Sequence, residues 1–351
     1  MRILAVALLI VLGAAVGPSA RADEFMPELR RAPEPKPASL TAVFLGPKED
    51  WPKHRAQLRE TWARIIGPFP SERVPLRPQE LSRETLDGFT RILVRYQTDA
   101  DSTNDAYVLV PSDGKPTHPG MVVLHPTTPR TINDPVGMSG REAVHNALHL
   151  VKRGYVCIVP RNYLWTFKGK NYERAAEAIL ARKPWKTGMA KMTWDAIRAT
   201  DLLLELPGVN VDPQRIGSIG HSLGGKEVLY HAAFDERIKA AVSCEGGVSV
   251  RFSNWDASWY LGPQVKSPNF GGHDHHELIA LIAPRALLVI GGESADGAKS
   301  WPYIEANLGV WNLSGAADRL GLLRHTYGHD FPPPGDDRDR AYRWLDHWLQ
   351  P

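Results

Sequence analysis

Gly220-His221-Ser222-Leu223-Gly224 follows directly on the apolar run Arg215-Ile216-Gly217-Ser218-Ile219, and this stretch decides the fold. A strand-like run that ends at a glycine-flanked serine and then takes up helical spacing puts that serine on a sharp strand-to-helix turn. Glycines two residues either side let the backbone make the strained turn and lift the hydroxyl clear of the strand's carboxyl end. Ser222 is therefore the candidate nucleophile.

Strand patterns alternate with helical ones on both sides of this turn. Apolar runs at 121–124, 155–159, 215–219, 238–243, 286–290 and 320–326 predict strands. The intervening spacing predicts helices over 141–152, 193–206, 225–234, 276–282 and 301–313, with a terminal helix over 337–349. Such alternation predicts an α/β fold, a mostly parallel central sheet with helices on both faces. Two alternating runs at 91–97 and 105–110 predict an antiparallel pair opening the sheet, after a helix over 51–66. Residues 51–351 read as one domain.

The 351-residue chain opens with Arg2, a short apolar run and the small-residue site Ala20-Arg21-Ala22. The run is shorter than the roughly 20 residues a bilayer span requires, so residues 1–22 read as a cleaved export signal and stable membrane insertion is not expected. Secretion or release into a periplasm follows. Residues 23–50, with Ala32-Pro33-Glu34-Pro35-Lys36-Pro37, read as an extended arm. Removing Arg2 and Arg21 from 42 basic residues leaves them almost balanced by 39 acidic ones, with no basic block, which argues against a nucleic-acid partner. Cys157 and Cys244 both lie in apolar strand runs and read as buried free thiols.

A serine hydroxyl needs a base, and the base needs an orienting acid, each at a later strand end in the order serine, acid, histidine. His329, in Tyr327-Gly328-His329-Asp330-Phe331 past the last strand, is preferred as base over His325, which falls within the strand pattern. Asp296, after the strand at 286–290, is the first choice for the acid, and Glu245, at the end of the preceding strand, is the second. The backbone N–H of Leu223 supplies one oxyanion donor at a helix start. The other belongs to the loop His125-Pro126-Thr127-Thr128, where proline has no N–H, so Thr127 or Thr128 must donate. His273, Asp274, His275, His276 and Glu277 form a cluster better explained by helix capping at Asp274 than by a metal, since adjacent histidines point in different directions. No cofactor is required. Trp255, Trp259 and Tyr260 either line a pocket above Ser222 or pack their segment down.

These residues carry a resemblance. The region from about Trp51 onward looks like secreted bacterial α/β-hydrolases of the acetyl xylan esterase and dienelactone hydrolase type, notably at Trp194-Asp195-Ala196-Ile197-Arg198 and Ile282-Ala283-Pro284-Arg285. Gly220-His221-Ser222 to Gly225-Lys226, Asp274-His275-His276 and Val310-Trp311 are similar to glucuronoyl esterases, which cleave esters between lignin alcohols and glucuronic acid on xylan. The resemblance implies serine ester hydrolysis on a small-molecule or polysaccharide ester, a uronate contact by Lys226 and Trp311, and a stronger claim for Glu245 as acid. Leu223 stands where that group has arginine, and His221 where it has cysteine. The alternatives from the residues themselves are a prolyl-oligopeptidase-type peptidase, whose large propeller the short segment before Arg91 cannot build, and an inactive hydrolase fold used for binding.

Overall fold

A computed structural model describes residues 26–166 and 171–351, so the export signal at 1–22 lies outside the described residues. Nine strands form one sheet: β1 Gln79–Leu86, β2 Phe89–Asp99, β3 Ser102–Pro111, β4 His118–Leu124, β5 Val156–Pro160, β6 Val211–His221, β7 Ile238–Cys244, β8 Ala286–Gly291 and β9 Leu320–Arg324. Their order is β1-β2-β3-β5-β4-β6-β7-β8-β9. The first three strands and the β3/β5 pair are antiparallel, and every pairing from β5 through β9 is parallel. The described helices are α1 Trp51–Ile66, α2 Asn146–Val151, α3 Tyr172–Leu180, α4 Gly188–Glu205, α5 Leu223–Phe234, α6 His275–Ala280, α7 Trp301–Asn312 and α8 Asp336–Leu349.

Alternation along the buried strands splits the apolar residues into two cores. Val122 and Leu124 of β4, Val156 and Ile158 of β5, and Leu287 and Val289 of β8 face a core shared with α1, α4, α5 and α7. Met121, Val123, Cys157, Leu288 and Ile290 face the other, shared with α2 and α8. Helices thus cover both faces, which is why the central strands are apolar on both sides. Cys157 and Cys244 are buried and free.

β1 and the helix expected over 141–152 differ from the sequence reading. β1 is polar on both sides and largely exposed; it exists because its backbone pairs with β2, and no apolar alternation marks it. The helix expected over 141–152 is a short 3-10 turn at Glu142–Val144 followed by α2. Residues 26–50 do lie on the body: Leu29 is buried, Val43 N–H donates to Ala306 O at 3.0 Å, and Lys36 pairs with Glu305. Among the described residues no helix is long and apolar enough to cross a membrane.

Candidate active site

The parallel strands bring their carboxyl ends to one edge of the sheet, where the candidate residues gather. Ser222 caps α5 with φ 57° and ψ −114°, a conformation that L side chains rarely adopt. The flanking glycines make it possible. A Cβ on Gly220 would sit 2.4 Å from the Gly224 backbone, and one on Gly224 would sit 2.0 Å from the Leu124 carbonyl oxygen. Gly220 therefore lets the start of α5 pack against β6, and Gly224 lets α5 approach the end of β4, which sets its first residue, Leu223, beside the loop that begins at His125.

His329 stands on the loop after β9. Its Nε2 lies 2.8 Å from Ser222 Oγ and its Nδ1 lies 3.0 Å from Glu245 Oε2. An ionised carboxylate only accepts, so the proton sits on Nδ1 and Nε2 is left to receive the Ser222 hydroxyl proton. Glu245 is fully buried at the end of β7 and also accepts from the N–H groups of Gly292 and Ala295, each at 2.5 Å. Burial alone would raise its pKa. The His329 hydrogen bond and these two N–H groups outweigh that and hold it below the usual carboxylate range.

Asp296, the first choice from sequence, is not brought to His329. Its carboxylate accepts from Gly247 N–H at 2.7 Å, Val248 N–H at 2.9 Å and Ser300 Oγ at 2.8 Å. Two of these bonds reach the loop after β7, so it braces the turn on which Glu245 sits, while Ser300, just before α7, holds its other side. Burial raises its pKa against those hydrogen bonds.

The uronate contacts implied by resemblance are also placed elsewhere. Trp311 is fully buried in α7 and its Nε1–H donates to Arg285 O at 3.0 Å, so its ring fills core. Trp255 is fully buried too: its Nε1–H donates to Gly247 O at 3.0 Å and its ring meets His275 at 4.3 Å. Lys226 is neither a solvated helix lysine nor an open contact. Its Nζ donates to Gly246 O at 3.0 Å and Ser253 Oγ at 2.7 Å and lies over the Trp255 and Tyr260 rings. Burial pulls its pKa down to about 8, with Asp296 and Glu245 resisting. Thr127 is exposed on the loop after β4.

His325, the rival base, is buried with Nδ1 accepting from Tyr327 N–H at 3.1 Å. Asp274 caps α6 through His275 N–H at 2.7 Å and also accepts from Val250 N–H, Ser249 and Tyr303. Sequence reasoning missed His221 as a support. Its Nε2–H donates to His329 O at 3.1 Å, and burial, with His329 beside it, drops its pKa to about 4, so the ring stays neutral. Its place between Gly220 and Ser222 was visible, but its reach to the loop after β9 was not.

The sheet order and the serine turn define the class: the chain is an α/β-hydrolase. Residues 105–276, which carry the nucleophile turn and Glu245, match the Dienelactone hydrolase family. Over 164 residues the chain is 31% identical to 4-O-methyl-glucuronoyl methylesterase 1 of Sodiomyces alcalophilus, covering 38% of this chain and 32% of that protein. It is 32% identical over 171 residues to the 4-O-methyl-glucuronoyl methylesterase of Cerrena unicolor, covering 39% and 35%. The matched segments thus span about a third of the length of these curated relatives. In structure the chain resembles a glucuronoyl esterase from Solibacter usitatus, with TM-score 0.67 at 18% identity over 89% of this chain and 98% of that one. That likeness concerns the fold.

Proposed function

We propose that this chain is an exported, cofactor-independent serine hydrolase that cleaves carboxylic esters attached to plant cell-wall carbohydrate, of the glucuronoyl or acetyl xylan type. The observation that carries the reading is the continuous chain from Ser222 Oγ through the His329 ring to Glu245. The sequence similarity to glucuronoyl methylesterases supports the ester class and the carbohydrate setting.

In this reading His329 Nε2 takes the Ser222 proton as Oγ attacks the ester carbonyl, and Glu245 stabilises the imidazolium that forms. The Leu223 N–H, at the start of α5, and a donor on the loop after β4 hold the oxyanion. Collapse expels the alcohol, which takes the proton from His329 and leaves an acyl-serine. Water then attacks, His329 again serves as base, and the acid is released with Ser222 restored.

A burst of p-nitrophenol from p-nitrophenyl acetate, abolished by Ser222→Ala, tests the chemistry; no turnover by folded wild type would sink it. A methyl or benzyl glucuronate ester compared with acetylated xylan then tests the acyl side. Equal indifference to both, with p-nitrophenyl acetate still cleaved, would overturn the carbohydrate assignment. Retention of residues 1–22 on protein recovered from the producing cell would overturn export.

A further inference from the structure

The second oxyanion donor poses a structural problem. Pro126 has no N–H with which to anchor the loop after β4, yet Thr127 must be held to within a few tenths of an ångström for its N–H to contribute. The His125 ring supplies the anchor. It is buried, its Nδ1–H donates to Pro126 O at 2.8 Å, and its Nε2 accepts from Asn162 N–H at 3.1 Å. The two partners fix the tautomer, because one is an acceptor and the other a donor. Burial lowers its pKa to about 4, which keeps the ring neutral and this arrangement intact.

Asn162 is itself fixed. Its Oδ1 accepts from Leu164 N–H at 3.0 Å, and its Nδ2–H donates to Glu227 Oε1 at 2.7 Å. Glu227 is buried on α5, one turn past Leu223; burial raises its pKa to about 8, which favours the protonated form, and its Oε1 receives Asn162. The helix that presents the first oxyanion donor is therefore linked to the loop that presents the second. Contact of Gly224 with the Leu124 carbonyl closes the other side of the same frame.

We propose that His125, backed by Asn162 and Glu227, is a positioning residue that sets the Thr127 N–H at the oxyanion position relative to the Leu223 N–H. This rests on the serine-hydrolase reading above. His125 touches no substrate. Its effect should appear where charge develops on the carbonyl oxygen, leaving substrate binding and the Ser222–His329–Glu245 chain untouched.

The test uses the full chain. His125→Phe keeps a ring and removes both hydrogen bonds. Its kcat for p-nitrophenyl acetate is expected to fall about 10²-fold with KM within about twofold, the change seen when an oxyanion donor is lost. An arylboronate, which forms a tetrahedral adduct on the serine, should weaken by a similar factor. The low-field proton resonance of the His329–Glu245 hydrogen bond should persist. Glu227→Leu, at the far end of the link, should lower kcat about tenfold with the same pattern, and Glu227→Gln, which keeps the carbonyl acceptor, should recover most of that loss. Unchanged kcat in His125→Phe, a change confined to KM, joint loss of kcat and the His329 resonance, or equal losses in Glu227→Leu and Glu227→Gln would each overturn the proposal. Wild-type turnover, measured in parallel, tests the hydrolase reading separately.

Discussion

Replacing Glu245 and Asp296 in turn by alanine separates the two carboxylates more cleanly than their positions suggest. Each is fully buried, and each accepts from two close backbone N–H groups, Gly292 and Ala295 for Glu245, Gly247 and Val248 for Asp296. An orphaned buried donor costs about 1–3 kcal/mol, so both variants should lose about 2–6 kcal/mol of stability. The stability losses are matched; the catalytic ones are not. Only Glu245→Ala frees the Nδ1 edge of His329, and loss of a triad acid elsewhere lowers kcat by roughly 10⁴, about 5.4 kcal/mol of barrier. Glu245→Ala should thus lose about 10³–10⁴ in kcat and Asp296→Ala less than about tenfold, through the brace on the Glu245 turn. The assay is p-nitrophenyl acetate turnover well below both melting temperatures, with denaturant unfolding alongside. Equal kcat losses in two folded variants, or a Glu245→Ala enzyme keeping more than about a tenth of wild-type activity, would refute the assignment.

Trp311→Phe should lower stability by about 1–3 kcal/mol, from lost volume and the bond to Arg285 O, and leave KM for a glucuronate ester within twofold; a large KM rise at unchanged stability would show that the ring meets substrate. Gly224→Ala drives a Cβ to 2.0 Å from Leu124 O, so kcat should fall at least about 10²-fold or the chain should melt much earlier, and wild-type rate and melting together would contradict the close approach. Melting temperature should drop as pH falls from about 6.5 toward 4. His125, His221 and His275 are held at about 4 by burial, whereas their unfolded values are near 6.5, so the unfolded state takes up protons first and stability is lost through that window. Glu227, raised by burial to about 8, and the buried Asp195 and Asp296, also raised, work in the opposite direction, but burial lowers His149, His231, His276 and His325 as well, so the histidines outnumber the acids. A melting temperature that stays flat or rises on acidification would refute this.

How much of this was legible in the sequence depends on which physical term decides each feature. The Ser222 turn was readable because steric exclusion acts locally: only glycine fits at positions 220 and 224 once the chain turns there. The central strands were readable because burial on both faces demands apolar runs. β1 was not, because its residues bury little and its strand conformation comes from pairing with β2 alone. Trp311 was misplaced for a related reason. An aromatic residue on an apolar helix face has the same sequence signature in a core as in a pocket, and here the indole finds its partner in the Arg285 carbonyl.

The acid was illegible because both candidates occupy adjacent strand ends and each carboxylate crosses to the other's loop. Glu245, on the loop after β7, binds the N–H groups of the loop after β8; Asp296, on the loop after β8, binds those of the loop after β7. Position along the chain cannot distinguish them, since either strand end faces the His329 loop. Reach does. The longer glutamate side chain spans Gly292 and Ala295 and still meets the imidazole, whereas aspartate is exhausted by Gly247, Val248 and Ser300. The exchange puts two acids in one buried region, and the Lys226 amine, bonded to Gly246 O within the same turn, lies close enough that both carboxylates raise its pKa against burial. A lysine suggested by resemblance to be a substrate contact is thereby accounted for within the loops: its amine is bonded to Gly246 O and Ser253, and the two carboxylates oppose the burial that lowers its pKa.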